Sequence, residues 1–414
     1  MRAFVCLFVL FGLAYAKHEA YDGYALYQVS VKDADQVSLV NHLGTSLELD
    51  IWSQALPGRP GQVLVAKDKK EFFENGLRVF GVDYEVQTEN IKEFLDLEEK
   101  LLQEASKKPF NASRVDSLTF ERILTYDEVD AFLEALAAAY PQTVTLVKAG
   151  KSFEGRDIKY LKISTTNFQD TSKPVIFMES LLHAREWVTL PATLYAIKKL
   201  VIDVTEQDLH AENRFWRKNR ATGYMVQDFC SGVDLNRNFD VAWSTASSNI
   251  VCMDTFHGRG PFSEPETAII RDIFDEHRDR MELFLDIHSF GSMILYGYGN
   301  GQLPANGLFV HLLGVQMAQA IDDVKLSHNP NYIVGNVALV LYEASGSASD
   351  YAKHIEVPFG YTYELPGYRF GLGTALGFLV DPDFIEQAGY ETWEGIKVGA
   401  RYARNSFASR KSAN

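Results

Sequence analysis

Val175-Ile176-Phe177-Met178 is an apolar run that stops at Glu179-Ser180-Leu181-Leu182-His183-Ala184-Arg185-Glu186-Trp187. The run reads as a buried strand ending at a turn. A histidine and a carboxylate three residues apart at such a strand end can face one metal ion. Zinc accepts imidazole nitrogen and carboxylate oxygen, and a catalytic zinc takes three protein ligands and keeps one position open. The fold must then bring a third ligand to this place from far along the chain. Leu283 to Ile287 is a second apolar run, and it closes on His288. The same H-x-x-E spacing also arises between surface neighbours on helices. The strand-end setting of both segments is what points to a metal.

The chain has 414 residues and 46% hydrophobic content, enough for a substantial core and more than one domain. Residues 1–16 read as a secretory signal. Arg2 supplies the positive start, Val5 to Leu13 the apolar core, and Ala14-Tyr15-Ala16 the small-residue cleavage pattern. That run is too short to span a bilayer, and no later run is long enough, so a soluble, secreted, extracellular protein is expected. Cys6 departs with the signal. Cys230 and Cys252 remain as a pair in an oxidising compartment and are expected to form a disulfide. Asn111-Ala112-Ser113 is a possible glycosylation site. The net charge of −15 argues against nucleic acid or an anionic membrane as partner.

Residues 17 to about 105 alternate strands with helices: strand Tyr24 to Val31, helix Ala34 to Leu43, strand Gly61 to Ala66, helix Lys67 to Gly76, strand Tyr84 to Thr88, helix Ile91 to Ala105. This pattern suggests a small open-faced α/β sandwich. Ser106 to Ser117 is a polar linker carrying Lys107, Lys108 and Arg114, open to a trypsin-like protease. From Val115 onward helices at Asp127 to Tyr140, Leu190 to Ile202, Gly307 to Ile321 and Asp383 to Phe407 alternate with strands at Val144 to Val147, Ile158 to Ser164, Val175 to Met178, Met281 to Ile287, Met293 to Tyr296 and within Pro358 to Glu364. The fold class expected is α/β: a three-layer domain with a mixed sheet, residues 115–414, behind the small domain of residues 17–114.

Four further segments collect polar residues at turns. They are Asn213-Arg214-Phe215-Trp216-Arg217-Lys218, Gly232-Val233-Asp234-Leu235-Asn236-Arg237-Asn238, Leu341-Tyr342-Glu343-Ala344-Ser345-Gly346-Ser347-Ala348-Ser349-Asp350, and Phe359-Gly360-Tyr361-Thr362-Tyr363-Glu364-Leu365. Read alone, each has a plainer explanation. Glu364 could be a buried structural carboxylate, Arg217 part of a solvated basic face, and Tyr342 an ordinary packed tyrosine. His257, His311 and His354 lie outside these segments.

Taken in order, the segments resemble the zinc carboxypeptidases of the pancreatic A/B type, from about Tyr21 to the C-terminus. The resemblance implies a zymogen whose small domain covers the active site until it is cut near Arg114. It implies that His183, Glu186 and His288 bind one zinc ion. Glu364 would be the general base that deprotonates the attacking water and passes the proton to the leaving amine. Arg217 would stabilise the oxyanion. Asn236, Arg237 and Tyr342 would hold the terminal carboxylate of a peptide, Arg185 would serve a neighbouring subsite, and Asp234 would orient His183. Ser349 falls at the position that reads the last side chain, with Val337, Ala344 and Gly299 around it and Asp350 beside it. A neutral residue there suggests apolar or broad specificity. The partners implied are peptide C-termini and a trypsin-like activating protease, and a monomer is expected.

The chain departs from the family between Glu186 and Arg217. A helix is present, but Thr205 to Glu212 leads straight into Asn213, without the strand and N-P-D-G run that the family places there. The missing strand would be internal to the sheet, so its neighbours lose backbone partners at on the order of 1–3 kcal/mol each where buried. The sheet must close across the gap, recruit another segment, or fail. The junction looks like a skipped exon or an incorrect gene model. A catalytically impaired protein that binds peptide C-termini is the alternative to an active enzyme. A deacylase acting on N-acyl amino acids is a more distant one, disfavoured by the activation-type domain and the Asn236-Arg237-Tyr342 set.

Overall fold

The computed structural model describes residues 18–107, 115, 118, 120–201, 216–225, 230–367, 369–370, 374–375 and 377–413. The signal segment, Asn111, Arg114 and the Thr205 to Asn213 junction lie outside the described residues.

The N-terminal domain runs β1 (Ala25–Ser30), α1 (Ala34–Ser46), β2 (Asp50–Ser53), β3 (Gly61–Val65), α2 (Lys70–Val79), β4 (Asp83–Thr88) and α3 (Ile91–Ala105). Its four strands form one antiparallel sheet in the order β2-β3-β1-β4. Asp33 and Asn90 cap α1 and α3 with their side chains, satisfying backbone N–H groups that a helix start leaves open. Tyr27, Val29, Val63, Val65, Phe73 and Leu77 fill the space between sheet and helices. The helix expected from Lys67 begins instead at Lys70, and β2 is an added element.

The larger domain runs α4 (Tyr126–Ala139), β5 (Val144–Lys151), β6 (Asp157–Ile163), β7 (Val175–Ser180), α5 (Thr189–Val201), α6 (Pro265–His277), β8 (Met281–Ser289), β9 (Met293–Tyr296), α7 (Gly307–Asp322), β10 (Ile333–Asn336), α8 (Val337–Val340), α9 (Ala348–His354), β11 (Phe359–Leu365) and α10 (Ile385–Ala413). Thr125 caps α4 in a reciprocal box with Glu128, and Asp127 sits in its first turn. Five strands form a mixed sheet in the order β10-β9-β11-β8-β7. The pairs β7–β8 and β8–β11 are parallel and β11–β9 is antiparallel. Leu283, Leu285 and Ile287 of β8 pack on one side with residues of α5, α7 and α10. Phe284 packs on the other side with Phe274 of α6 and Ala348, Tyr351 and Ala352 of α9. This is the three-layer arrangement expected.

Among the described residues the sheet does not close across the gap. Among the described residues β5 and β6 form a separate antiparallel pair, and neither is bonded to β7. Helix α6 holds the two pieces together: Ile269 reaches Gly150 of β5, while Phe274 packs on Phe177 of β7. On the opposite side Leu161 of β6 and Ile176 and Met178 of β7 share one apolar cluster.

Candidate metal centre and active site

Parallel pairing sets His288 at the C-terminal end of β8, beside Glu364 of β11, its register partner. The turn after β7 brings His183 and Glu186 to the same edge. His183 Nδ1 lies 2.8 Å from Glu186 Oε1, His288 Nδ1 lies 2.8 Å from Glu186 Oε2, and the two Nδ1 atoms are 3.0 Å apart. All three side chains are buried, and their ligand atoms can meet at one ion. Each far ring nitrogen meets a carboxylate: His183 Nε2 is 2.9 Å from Asp234 Oδ1, and His288 Nε2 is 2.5 Å from Asp286 Oδ1. Carboxylates at the outer nitrogens help to orient the two rings, and Asn236 Nδ2 also lies 2.9 Å from His288 Nε2. The donor set fits zinc: two imidazole nitrogens and one carboxylate, buried and facing one another.

Charge balance keeps the carboxylates of this centre ionised. Burial alone would raise Glu186, but His183 and His288 hold it well below the ordinary range. Burial opposes ionisation of Asp234 too, yet Arg217 and His183 keep it well below. Glu364 behaves in the opposite way. Burial, then the Glu186 charge, push its carboxyl up to about 8, where it can exchange a proton near neutral pH. Glu179 of β7, the register partner of Asp286, is raised well above a normal glutamate by burial and by Asp286.

The other expected site residues fall around this centre. Arg217 makes two bonds to Asp234 Oδ2, at 3.0 and 2.8 Å, and stands 3.8 Å from Glu186 Oε1. It is partly buried, its side chain 10% exposed, and is held inward rather than forming part of a solvated basic face. Arg237 donates to Tyr342 Oη at 3.1 Å. Gly346 makes this pairing possible: at φ 69° it lies so close to the Arg237 carbonyl that a Cβ would collide with it. Asn236 lines the cavity, but its amide donates to Asp286 at 3.0 Å and accepts from the Ala348 N–H at 2.8 Å. Ser349 Oγ accepts from Thr362 Oγ1 at 2.9 Å. Asp350 stands behind Ser349, takes the Gly299 N–H at 2.7 Å, and is pushed up to about 6 by burial. Cys230 and Cys252 form a disulfide with Cα atoms 5.0 Å apart. Arg217, Asn236, Arg237, Cys252, Tyr342 and Ser349 border one cavity of about 1020 Å³ between the two domains.

Two features went unread in the sequence. Asp286 could have been found from its i, i+2 spacing to His288, which puts both on one side of β8. The other comes from the small domain. Asp50 of β2 accepts from Arg185 at 2.8 Å, and Trp52 Nε1 holds the other Asp50 oxygen at 2.9 Å. Trp52 packs edge-on to Phe378, which also lies under the Arg185 guanidinium. The small domain thus occupies Arg185 from across the cavity. No local pattern marks a contact between residues so far apart in the chain.

The comparisons agree with this geometry. The zinc carboxypeptidase family model matches residues 129–209 and 204–395, and the carboxypeptidase activation peptide model matches 27–98. The chain belongs to the zinc carboxypeptidase family, as a zymogen of the pancreatic type. It is 41% identical over 428 residues to carboxypeptidase B of Helicoverpa zea, covering 98% of this chain and 99% of that one. A crystal structure of carboxypeptidase A from Helicoverpa armigera superposes with a TM-score of 0.90 at 61% identity, over 94% of this chain and 99% of that one. Carboxypeptidase A1 of Bos taurus is 28% identical over 437 residues, covering 98% of this chain and 100% of the relative. The family match breaks in two near residues 204–209, in the short segment. An alignment of 428 positions using 98% of a 414-residue chain leaves about twenty positions with no counterpart here. The enzyme is a metallocarboxypeptidase that hydrolyses C-terminal peptide bonds.

Proposed function

We propose that this chain is secreted as a zymogen, is cut in the linker near Arg114, and then releases single apolar C-terminal amino acids from peptides. The observation that carries the preference is the Ser349–Thr362 hydroxyl pair among the apolar cavity residues Leu295, Val337, Leu341 and Ala344. Leu295 is the cross-strand partner of Thr362, so an apolar wall and the hydroxyl pair adjoin. A C-terminal lysine placed there would lose its hydration without gaining a carboxylate, which is costly. The relatives' names divide between A and B types, so the preference rests on this chain's own residues.

Arg237 and Tyr342 grip the terminal carboxylate, which explains a requirement for a free C-terminus. Asn236 joins them only if its amide turns from Asp286. Glu364 takes the proton of the attacking water and delivers it to the departing amine. Arg217, fixed by Asp234, offers its remaining N–H to the developing oxyanion. A zinc ion held by His183, Glu186 and His288 supplies a Lewis acid that lowers the pKa of water toward neutrality. Asp50 on Arg185 blocks a subsite until the small domain is released.

The test is amino-acid release by the trypsin-treated full chain. Peptides ending in leucine or phenylalanine should be cut faster than one ending in lysine, and an amidated peptide or added chelator should stop release. A faster lysine peptide would overturn the preference. No release, with a full-length family enzyme active alongside, would instead favour an impaired protein that binds peptide C-termini.

A further inference from the structure

Arg185 is shared between the two domains. Its Nη1 donates to Asp50 of the small domain at 2.8 Å and to Asp254 of the larger domain at 3.3 Å. Phe378 covers one face of the guanidinium, with its ring centre 4.3 Å away. Asp50 leaves with the small domain, and Asp254 stays. The segment that carries Asp254 is pinned within the larger domain. Cys252 is bonded to Cys230, and Lys218 donates to the Val251 carbonyl at 2.7 Å. The Ser248 N–H donates to the Thr255 carbonyl at 3.0 Å, and the Asp234 N–H to the Phe256 carbonyl at 2.8 Å. None of these links involves the small domain. Asp254 lines the cavity with its side chain 45% exposed, within reach of a bound peptide.

We propose that Asp254 is a specificity-determining residue: it sets the charge preference of the subsite that Asp50 vacates, turning acidic side chains away and favouring neutral or basic ones. This rests on the chain acting as a carboxypeptidase, in which Arg237, Tyr342 and Ser349 take the last residue. The Arg185 subsite then serves residues before the bond that is cut. A lone arginine there would draw acidic side chains, because a guanidinium pairs well with a carboxylate. With Asp254 beside it the pair carries no net charge, and a second carboxylate brought to Nη1 meets a like charge.

The zymogen shows that opposition. Burial raises the Asp50 carboxyl, Arg185 lowers it, and Asp254 raises it again. Asp50 is held there nonetheless, because Trp52 Nε1 donates to its other oxygen at 2.9 Å and Trp52 is packed with Phe378 in an apolar cluster that joins the domains. A substrate peptide brings neither support. Lys218 does not restore the attraction for acids. It is buried, its ammonium is taken up by the Val251 carbonyl, and burial lowers its pKa.

Release of a C-terminal leucine by the trypsin-treated full chain tests the proposal, with Glu, Gln or Lys placed second or third from the end of the peptide. At one of these positions the wild type should cut the Glu peptide roughly 2–5-fold more slowly than the Gln peptide, the scale of one partly exposed charge pair. The deficit should shrink as salt is added. Asp254→Asn should remove it, and Asp254→Lys should make the Glu peptide the fastest of the three. The readout is the ratio of kcat/KM values within each protein, so a general loss of activity cancels, and a purely structural Asp254 would slow all three peptides alike. Equal rates on the Glu and Gln peptides in the wild type would overturn the proposal, as would one ratio common to all three proteins. No release from any peptide would instead sink the carboxypeptidase reading, and the proposal with it.

Discussion

Strands β8 and β7 are neighbours in one sheet, and both end at the metal centre, yet they live in different surroundings. β8 is paired on both sides and buried at all nine positions. β7 is paired to β8 alone among the described residues, and its positions from Ile176 to Ser180 are only half-buried, as is all of β6. His288 stands on the sealed strand, whereas His183 and Glu186 follow the open one. The site spans the boundary. On its open side order comes from polar links rather than sheet pairing: Asp234 binds both His183 and Arg217. Among the described residues the sheet is interrupted beside the site, where α6 bridges the two pieces and the buried Asp234 carboxylate constrains the open side.

The largest effect that can break this comparison is chemical. Glu364→Gln on sealed β11 should cost about 10²–10⁴-fold in kcat, with no loss of thermal stability, because the amide replaces a carboxyl already raised by burial. Asp234→Asn, which weakens the polar link on the open side, should lower both activity and stability. Steady-state kinetics and thermal melts on the two variants separate the cases. If both variants lose activity alone, the open side does not depend on Asp234 for its order.

Backbone opening comes next. Amides of β6 and β7 should exchange with solvent well before those of β8 and β11, since half-buried strands with one edge unpaired among the described residues open locally below the global unfolding free energy. Hydrogen exchange read at peptide resolution decides this. Protection of β7 equal to that of β8 would mean that its free edge is covered.

Side-chain truncation should show the same asymmetry more weakly. Leu285→Ala on β8 is expected to cost about 2–5 kcal/mol, as for a fully buried leucine. Met178→Ala on β7 should cost roughly half as much or less, because part of that side chain already meets solvent. Denaturant melts with equal slopes would establish the difference. Equal losses would place Met178 in the sealed core.

Much of this was legible beforehand, for physical reasons that differ by residue. His183, Glu186, His288 and Glu364 each stand at or just beyond the end of an apolar strand, and parallel strands align such ends at one edge. The alternation of strands and helices carried the architecture. Helix α6 was missed although Pro265 marks its first position. β2 was missed because four residues are too few to establish a period. The Asp50–Arg185 contact was out of reach, since tertiary pairing between distant residues leaves no local trace. The gap was visible as a missing strand, but its outcome depended on α6 packing under both pieces, which no spacing encodes.

The smallest expected effect sharpens the sealed half itself. Asp350 opens α9, which packs on β8 and β11, and burial pushes its carboxyl from 3.8 up to about 6. Between those values the folded chain keeps a proton that the unfolded chain has released. Stability must then fall as pH rises through this window, with the full cost, roughly 1–3 kcal/mol, present above about pH 6. Asp350→Asn cannot ionise, yet its carbonyl oxygen can still accept from Gly299. Melting temperatures of the two proteins should diverge from pH 4 to pH 6.5, with the wild type declining relative to the variant. Parallel curves would show that Asp350 is ionised throughout, and that the sealed half is more polar behind Ser349 than its burial indicates.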